Sequence, residues 1–143
     1  MGDVKVGILV GSPSDREIAD TILKTLDSLG IAGEVKLASA HRTPDLVTDY
    51  CTTAADRGIQ VLIACAGMAA HLAGAVAAQS LLPVIGVPVA SGKLQGLDAL
   101  LSTVQMPPGI PVATVAIDGA KNAAVLAAKG VGSLTDIFSI LNK

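Results

Sequence analysis

The chain has 143 residues and a formal net charge of -2, with 51% hydrophobic, 15% charged and 1% aromatic residues. This length predicts one domain over residues 1–143, and so apolar a composition excludes a disordered chain. The near-neutral charge argues against a nucleic-acid partner, which needs a basic face, and the scarcity of aromatic residues removes a stacking platform for single strands.

Short β-branched runs alternate with helical stretches along the chain. The predicted strands are residues 4–10, 35–38, 61–64, 84–87 and 112–117. The predicted helices begin after Ser12 and end at Gly30, run from Thr43 to Gly58, and cover 69–79, 97–104 and 122–129. This pattern predicts an α/β fold, a three-layer doubly wound parallel sheet with five core strands. The flavodoxin-like order 2-1-3-4-5 is the first choice, and the dinucleotide-binding order is the alternative.

Residues 58–92 carry no charge apart from a possible one on His71, which raises the alternative of a membrane-spanning helix. Small and turn-forming residues break this stretch, namely Gly67, Gly74, Pro83, Gly86 and Pro88. The resulting pieces have the lengths of buried strands and a short buried helix, so we expect no membrane partner.

The N-terminus contains acidic Asp3 and shows no basic region with a cleavage site, so no signal peptide is expected. Cys51 and Cys65 form neither a C-x-x-C motif nor a metal-ligand cluster. Two buried thiols in a reducing, cytoplasmic location are therefore expected.

Three turns follow the first three predicted strands, at residues 11–15, 39–44 and 66–74. In open α/β sheets, ligands bind outside the carboxyl ends of the strands, near the point where the strand order reverses. If strands one and three are neighbours, the three turns share one crevice.

The first turn has the form of a capping box, with Ser12 as N-cap, Pro13 at the first helical position and Asp15 at the third. Its hydroxyls, including that of Ser14, and its free backbone amides at a helix N-terminus favour a phosphate site. It lacks both the dinucleotide and the NTP fingerprint. The alternative, weighed equally, is that Ser12 and Asp15 only cap the helix.

The second turn contains Ser39, His41 and Arg42 within four residues. Arginine is suited to bidentate contact with phosphate, and histidine is the side chain most available for proton transfer near neutral pH. A solvated surface loop is the alternative, but the position at a strand's carboxyl end favours a function.

The third turn is built from small residues, among them Gly67 and Ala69, which allow a ligand to approach the backbone closely. His71 is either a second acid/base group or a structural histidine inside an apolar helix, and the structural role is favoured. The loop at residues 88–96 follows strand four and is placed to cover the crevice.

Taken together, these turns resemble the signature turns of the PurE family: residues 11–15, 39–44 and 69–72. Residues 86–89, 104–107, 109–115 and 122–124 are also similar to that family, so the resemblance extends from about residue 4 to residue 128. It implies a flavodoxin-like domain in de novo purine biosynthesis. Ala-His-Arg and Ala-Ala-His-Leu resemble class I, a mutase that interconverts N5-carboxyaminoimidazole ribonucleotide and 4-carboxy-5-aminoimidazole ribonucleotide without metal or organic cofactor.

The resemblance implies catalysis by His41, which would move a proton between ring carbon C4 and the nitrogen side of the substrate. It implies nucleotide contacts from Ser12, Asp15 and Arg42, with Ser14 and Ser39 as helpers. The alternatives are the class II reaction, direct carboxylation of aminoimidazole ribonucleotide with CO2, and a non-catalytic nucleotide-binding module.

Two features depart from the bacterial class I pattern. Met68 and Ala73 stand where that pattern has a glycine and a proline. Family members also usually continue through a longer C-terminal helix that packs on a neighbouring subunit, whereas this chain ends after residues 133–141 and Lys143. A homo-oligomer, an octamer by the resemblance, is nevertheless expected.

Overall fold

Five parallel strands form the centre of the structure, a computed structural model that describes residues 2–132. They are β1 (Val6–Val10), β2 (Gly33–Leu37), β3 (Val61–Gly67), β4 (Val84–Val89) and β5 (Ala113–Thr114). Their order is β2-β1-β3-β4-β5, with parallel pairing throughout. The flavodoxin-like order is confirmed, and the dinucleotide-binding alternative is wrong. Residues 133–141, which the resemblance compares with a subunit-packing helix, lie outside the described residues.

Five α-helices connect and follow these strands. They are α1 (Arg16–Ser28), α2 (Pro44–Ala54), α3 (Leu72–Ala77), α4 (Leu97–Val104) and α5 (Ala120–Val131). One-turn 3-10 helices precede α1, at Pro13–Asp15, and follow α2, at Ala55–Arg57. The predicted stops are confirmed at Gly30 and Gly58, which both take positive φ, as helix-ending glycines do.

Two helix layers cover the sheet because side chains alternate between its faces. Val6, Ile8 and Val10 of β1 pack into a core with α1 and α5. Leu9 faces the opposite side and packs into a second core with α2 and α3. Both faces of the central strands β1, β3 and β4 are therefore buried along most of their length, as expected for a parallel sheet, whereas the edge strands β2 and β5 are partly exposed.

Three predicted elements are shorter in the structure than was expected from the sequence. β1 begins at Val6 in place of residue 4. β5 has two residues in place of 112–117, since it pairs with β4 only at these two positions and the chain turns at residues 117–118. α3 begins at Leu72, later than the predicted residue 69. Met68 takes a φ of 53°, and the amide of His71 donates to the carbonyl of Ala69, two residues earlier, so the backbone is not yet helical there. The amide of Ala70 donates to the side chain of Ser102.

The charge-free stretch forms β3, α3 and β4 in the interior. No helix within residues 2–132 has both the length and the apolar character needed to cross a membrane. Cys51 and Cys65 are buried free thiols, as predicted. Burial raises the pKa of Cys51 to about 11 and raises the pKa of Cys65 as well.

Candidate active site

A cavity of about 330 Å³ opens at the carboxyl ends of β1, β2 and β3. The three predicted turns converge on it, since β1 lies between β2 and β3. Every residue that the sequence analysis assigned to a site lines this cavity: Ser12, Ser14, Asp15, Ser39, His41, Arg42, Gly67, Ala69 and His71. The prediction of one shared crevice is thus confirmed.

The first turn is organised by Ser12. Its backbone is extended, and its Oγ accepts from the amide of Ser14 at 3.4 Å and lies 3.0 Å from the Ser14 Oγ. The amides of Asp15 and Arg16 donate to the carbonyls of Ser12 and Pro13. The expectation of free backbone amides at this helix start was therefore wrong, because the 3-10 turn uses them. What the turn offers an anion is its pair of serine hydroxyls.

Asp15 is the buried carboxyl of the cavity, with 5% of its surface exposed. Burial raises the pKa of this carboxyl, the backbone amide of Ser12 opposes that effect, and the negative charge of Asp118 adds to it. A buried acceptor at the floor of a cavity is suited to hydroxyl donors of a ligand, which satisfy its oxygens without a counter-ion.

Hydrogen bonds from backbone amides to side-chain and carbonyl oxygens hold the second turn in one tight conformation. Ser39 Oγ accepts from the amide of Arg42 at 3.1 Å, and the amide of Ser39 donates to Thr43 Oγ1 at 2.8 Å. The amide of Thr43 donates in turn to the carbonyl of Ser39. The side chains of His41 and Arg42 consequently project from a fixed backbone into the cavity.

The guanidinium of Arg42 supplies the permanent positive charge of the cavity wall. The ion pairs within the described part of the chain are Arg16–Asp20 and Arg57–Glu34, so none of its carboxylates engages Arg42. An exposed arginine that forms no ion pair within residues 2–132, in one cavity with two serine hydroxyls, forms the donor set that a phosphate group requires.

The third turn carries His71 to the cavity rather than into a helix. His71 is the exposed residue immediately before α3, and its amide donates to the carbonyl of Ala69 at 2.9 Å. The expected position of His71 inside an apolar helix was therefore wrong. His71 stays outside the helix because the backbone from Met68 to Ala70 is not helical.

His41 and His71 contact each other in the cavity. Nε2 of His41 lies 2.5 Å from Nδ1 of His71, and the two rings meet edge to face at 81° with centroids 4.6 Å apart. One nitrogen donates and the other accepts, and this hydrogen bond fixes the orientations of the two rings. Within residues 2–132, no third histidine, cysteine or carboxylate completes a metal-binding group.

Ser91 lines the cavity and was not singled out from the sequence. It belongs to the loop at residues 88–96, which was predicted only as a cover. Its Oγ lies so close to Gly67 that a Cβ at that position would collide with it. Gly67 is thus required by the approach of the loop, and the signal in the sequence was a serine just beyond the carboxyl end of β4.

Comparisons with known proteins identify similar sequences over most of the chain. The family model described as AIR carboxylase matches residues 5–138. N5-carboxyaminoimidazole ribonucleotide mutase of Pyrococcus abyssi is 58% identical over 127 residues, which cover 89% of this chain and 73% of that protein. The mutase of Thermotoga maritima is 54% identical over 128 residues, which cover 90% and 75% of the two chains.

Solved structures agree with this similarity. A PurE2 variant from Treponema denticola superimposes with a TM-score of 0.82 at 32% identity, covering 99% of this chain and 86% of that one. PurE from the same organism superimposes with a TM-score of 0.79 at 35% identity, covering 96% and 84%.

Proposed function

Because the chain belongs to the AIR carboxylase (PurE) family, we propose that its cavity converts N5-carboxyaminoimidazole ribonucleotide into 4-carboxy-5-aminoimidazole ribonucleotide, with His41 as general acid and base. Relatives named for this mutase activity are 53% to 58% identical to the chain. The chain is therefore an isomerase of purine biosynthesis. The contact between His41 and His71 inside the cavity supports this role of His41, because a proton-transfer group needs a fixed ring orientation.

The ribonucleotide is proposed to bind through its phosphate and ribose. Arg42 and the hydroxyls of Ser12 and Ser14 hold the 5′-phosphate, and Ser39 supports this contact by fixing the turn that carries Arg42. The buried carboxyl of Asp15 accepts from the ribose hydroxyls. The described residues supply no aromatic ring for stacking apart from the two histidines in this cavity, so polar contacts provide the specificity.

The reaction moves one carboxylate between two atoms of the same molecule. The bond from N5 to the carboxylate breaks, CO2 departs, and N5 keeps the electron pair and takes up a proton. C4 then attacks the CO2 to form the new carbon–carbon bond and gives up its proton. His41 delivers the first proton and accepts the second, so the net change is an isomerisation.

Confinement of CO2 is the second task of the site, because CO2 that escapes ends the reaction. The small residues Gly67 and Ala69 let the imidazole approach the backbone of the third turn. Met68 and Ser91 add side chains to the cavity wall beside them. These four residues are proposed to retain CO2 between the two steps.

The decisive experiment supplies the purified protein with each substrate separately and follows the imidazole product by absorbance. We expect turnover of N5-carboxyaminoimidazole ribonucleotide without added CO2. Turnover of aminoimidazole ribonucleotide plus CO2, with none of the carbamate, would establish the direct carboxylase instead. A non-catalytic module would bind nucleotide and turn over neither.

We also propose that the chain forms a homo-oligomer, an octamer as the family resemblance implies, and acts as one domain over residues 1–143 in the cytoplasm. Leu97, Leu101 and Val104 lie on one face of α4, with Leu94 next to them, and these side chains are 47% to 60% exposed. An apolar patch of this kind marks an interaction surface. Light scattering tests whether this patch lies in the subunit interface. Leu101→Asp should lower the mass of the assembly, whereas Lys24→Asp, at an exposed position outside the patch, should keep the wild-type mass.

A further inference from the structure

Asp118 joins the segment after β5 to the loop at residues 88–96. Its Oδ1 accepts from the amide of Ala90 at 2.9 Å, and its own amide donates to the carbonyl of Pro88 at 2.8 Å. These two bonds bracket the point where β4 ends and the loop begins. Asp118 itself does not line the cavity.

The residue that follows Ala90 is Ser91, whose Oγ lies against Gly67 in the cavity wall. The far end of the loop is also folded tightly, because a Cβ at Gly96 would lie 3.1 Å from the Cα of Ala90. Fixing Ala90 therefore fixes Ser91. The side chain of Asp118 can therefore hold Ser91 in place by accepting a hydrogen bond from the amide of Ala90.

The conformation and the charge of Asp118 both argue for a specific role of its side chain. Its φ of 58° lies in the left-handed region, which glycine adopts without strain. Its negative charge also opposes the ionised form of the nearby Asp15. A glycine would avoid both disadvantages, and what it lacks is the acceptor for Ala90.

We propose that Asp118 is a positioning residue for the mutase reaction, which holds Ser91 in the cavity wall through its bond to the amide of Ala90. This inference rests on the proposed function, and its structural half can be tested without activity. Two substitutions separate the contributions. Asp118→Gly keeps the backbone conformation and removes the acceptor, whereas Asp118→Asn keeps an acceptor oxygen and removes the charge.

Amide hydrogen exchange of the full chain tests the structural half. In Asp118→Gly, the amide of Ala90 is expected to exchange about tenfold faster than in the wild type, since it loses its hydrogen-bond acceptor. In Asp118→Asn, its exchange should stay close to the wild-type rate. Equal exchange in the wild type and in Asp118→Gly would overturn the proposal.

Steady-state kinetics in a double-mutant cycle with Ser91→Ala tests the functional half. Asp118→Gly and Ser91→Ala should each lower kcat/KM by about tenfold, and the double variant should be no slower than either single one. Asp118→Asn should keep most of the wild-type rate, with kcat and KM each close to the wild-type value. Additive losses, or a rate in Asp118→Gly equal to that of the wild type, contradict the role of Asp118. An inactive wild type whose Ala90 exchange still responds to Asp118→Gly would instead contradict the proposed function.

Discussion

The ring nitrogens Nε2 of His41 and Nδ1 of His71 lie 2.5 Å apart, although the two residues are 30 positions apart in the sequence. His41 follows β2 and His71 follows β3, and these two strands flank β1 in the sheet. The contact exists only because the strand order brings both turns to one edge. The fold thus assembles a hydrogen-bonded histidine pair in the same cavity as Ser12 and Asp15.

Replacement of His41 by asparagine is expected to lower kcat by about 10²- to 10⁴-fold, the usual contribution of a general acid and base. Nucleotide binding should persist, because Arg42 and the serine hydroxyls are unchanged. Absorbance kinetics and calorimetric titration with 4-carboxy-5-aminoimidazole ribonucleotide measure the two effects. A variant that keeps the wild-type kcat would contradict the assignment of His41.

Replacement of His71 by alanine is expected to lower kcat by about tenfold, less than the His41 substitution, because His71 orients the ring of His41. Nδ1 is the atom of His71 that makes the contact. Asparagine places a polar atom near the position of Nδ1, so His71→Asn should retain more activity than His71→Ala. Equal rates in these two variants would show that the contact with His41 does not matter for turnover.

The location of the site could be predicted from the sequence, because it depends on strand order and on which turns carry polar residues. The alternation of strands and helices predicted a parallel sheet with the flavodoxin-like order as first choice, and the rule that ligands bind at the carboxyl ends of the strands then selected the three turns. His41 and Arg42 follow from their residue types at that edge. These features need no knowledge of side-chain contacts between distant elements.

The parts that could not be predicted depend on such contacts. α3 starts late because Met68 takes positive φ, and Ser102 of α4 binds the amide of Ala70 in the segment before the helix. Ser91 reaches the cavity because Asp118 holds Ala90. Each of these pairs joins residues far apart in sequence, and no local pattern of spacing or composition records them.

Replacement of Arg42 by alanine is expected to raise KM by about 10- to 100-fold, the effect of losing a charged hydrogen-bonding partner of phosphate. Arg42→Lys should recover part of the loss, since lysine keeps the charge without the bidentate geometry. Arg57→Ala removes an arginine that pairs with Glu34 outside the cavity and serves as the matched control. Equal KM changes in Arg42→Ala and Arg57→Ala would argue against a phosphate contact.

Replacement of Gly7 by alanine is expected to destabilise the fold by about 1–3 kcal/mol, as overpacking of a core does. A Cβ at Gly7 would lie 2.5 Å from the Oη of Tyr50, which donates to Glu34 at 2.9 Å. Urea unfolding measures the loss, and kcat should stay unchanged because this contact lies outside the cavity. In the alanine background, Tyr50→Phe removes the hydroxyl and should cost less stability than it does in the wild type. If the stability losses of Gly7→Ala and Tyr50→Phe were additive, the added Cβ would not be clashing with the hydroxyl of Tyr50.

Asp15→Asn is expected to stabilise the ligand-free protein at pH 7. Burial raises the pKa of Asp15 in the folded state, so folding favours the protonated carboxyl over the ionised one. The stability that the protonated form provides is fully present below the unfolded pKa, about 3.9, and is lost as the pH rises through the folded value. The stability advantage of the asparagine variant should therefore be smallest near pH 4 and grow towards pH 7.

Urea unfolding of both proteins at several pH values measures this difference, and Asp56→Asn, at an exposed carboxylate, controls for the loss of one negative charge. Addition of 4-carboxy-5-aminoimidazole ribonucleotide should reverse the order at pH 7, because only the wild-type carboxylate accepts strongly from the ribose hydroxyls and binding stabilises the folded state by mass action. If the asparagine variant were less stable at pH 7 without ligand, Asp15 would be a structural cap. The sign of the difference in unfolding free energy between the wild type and Asp15→Asn at pH 7 therefore shows whether the carboxyl of Asp15 binds the ligand or stabilises the helix.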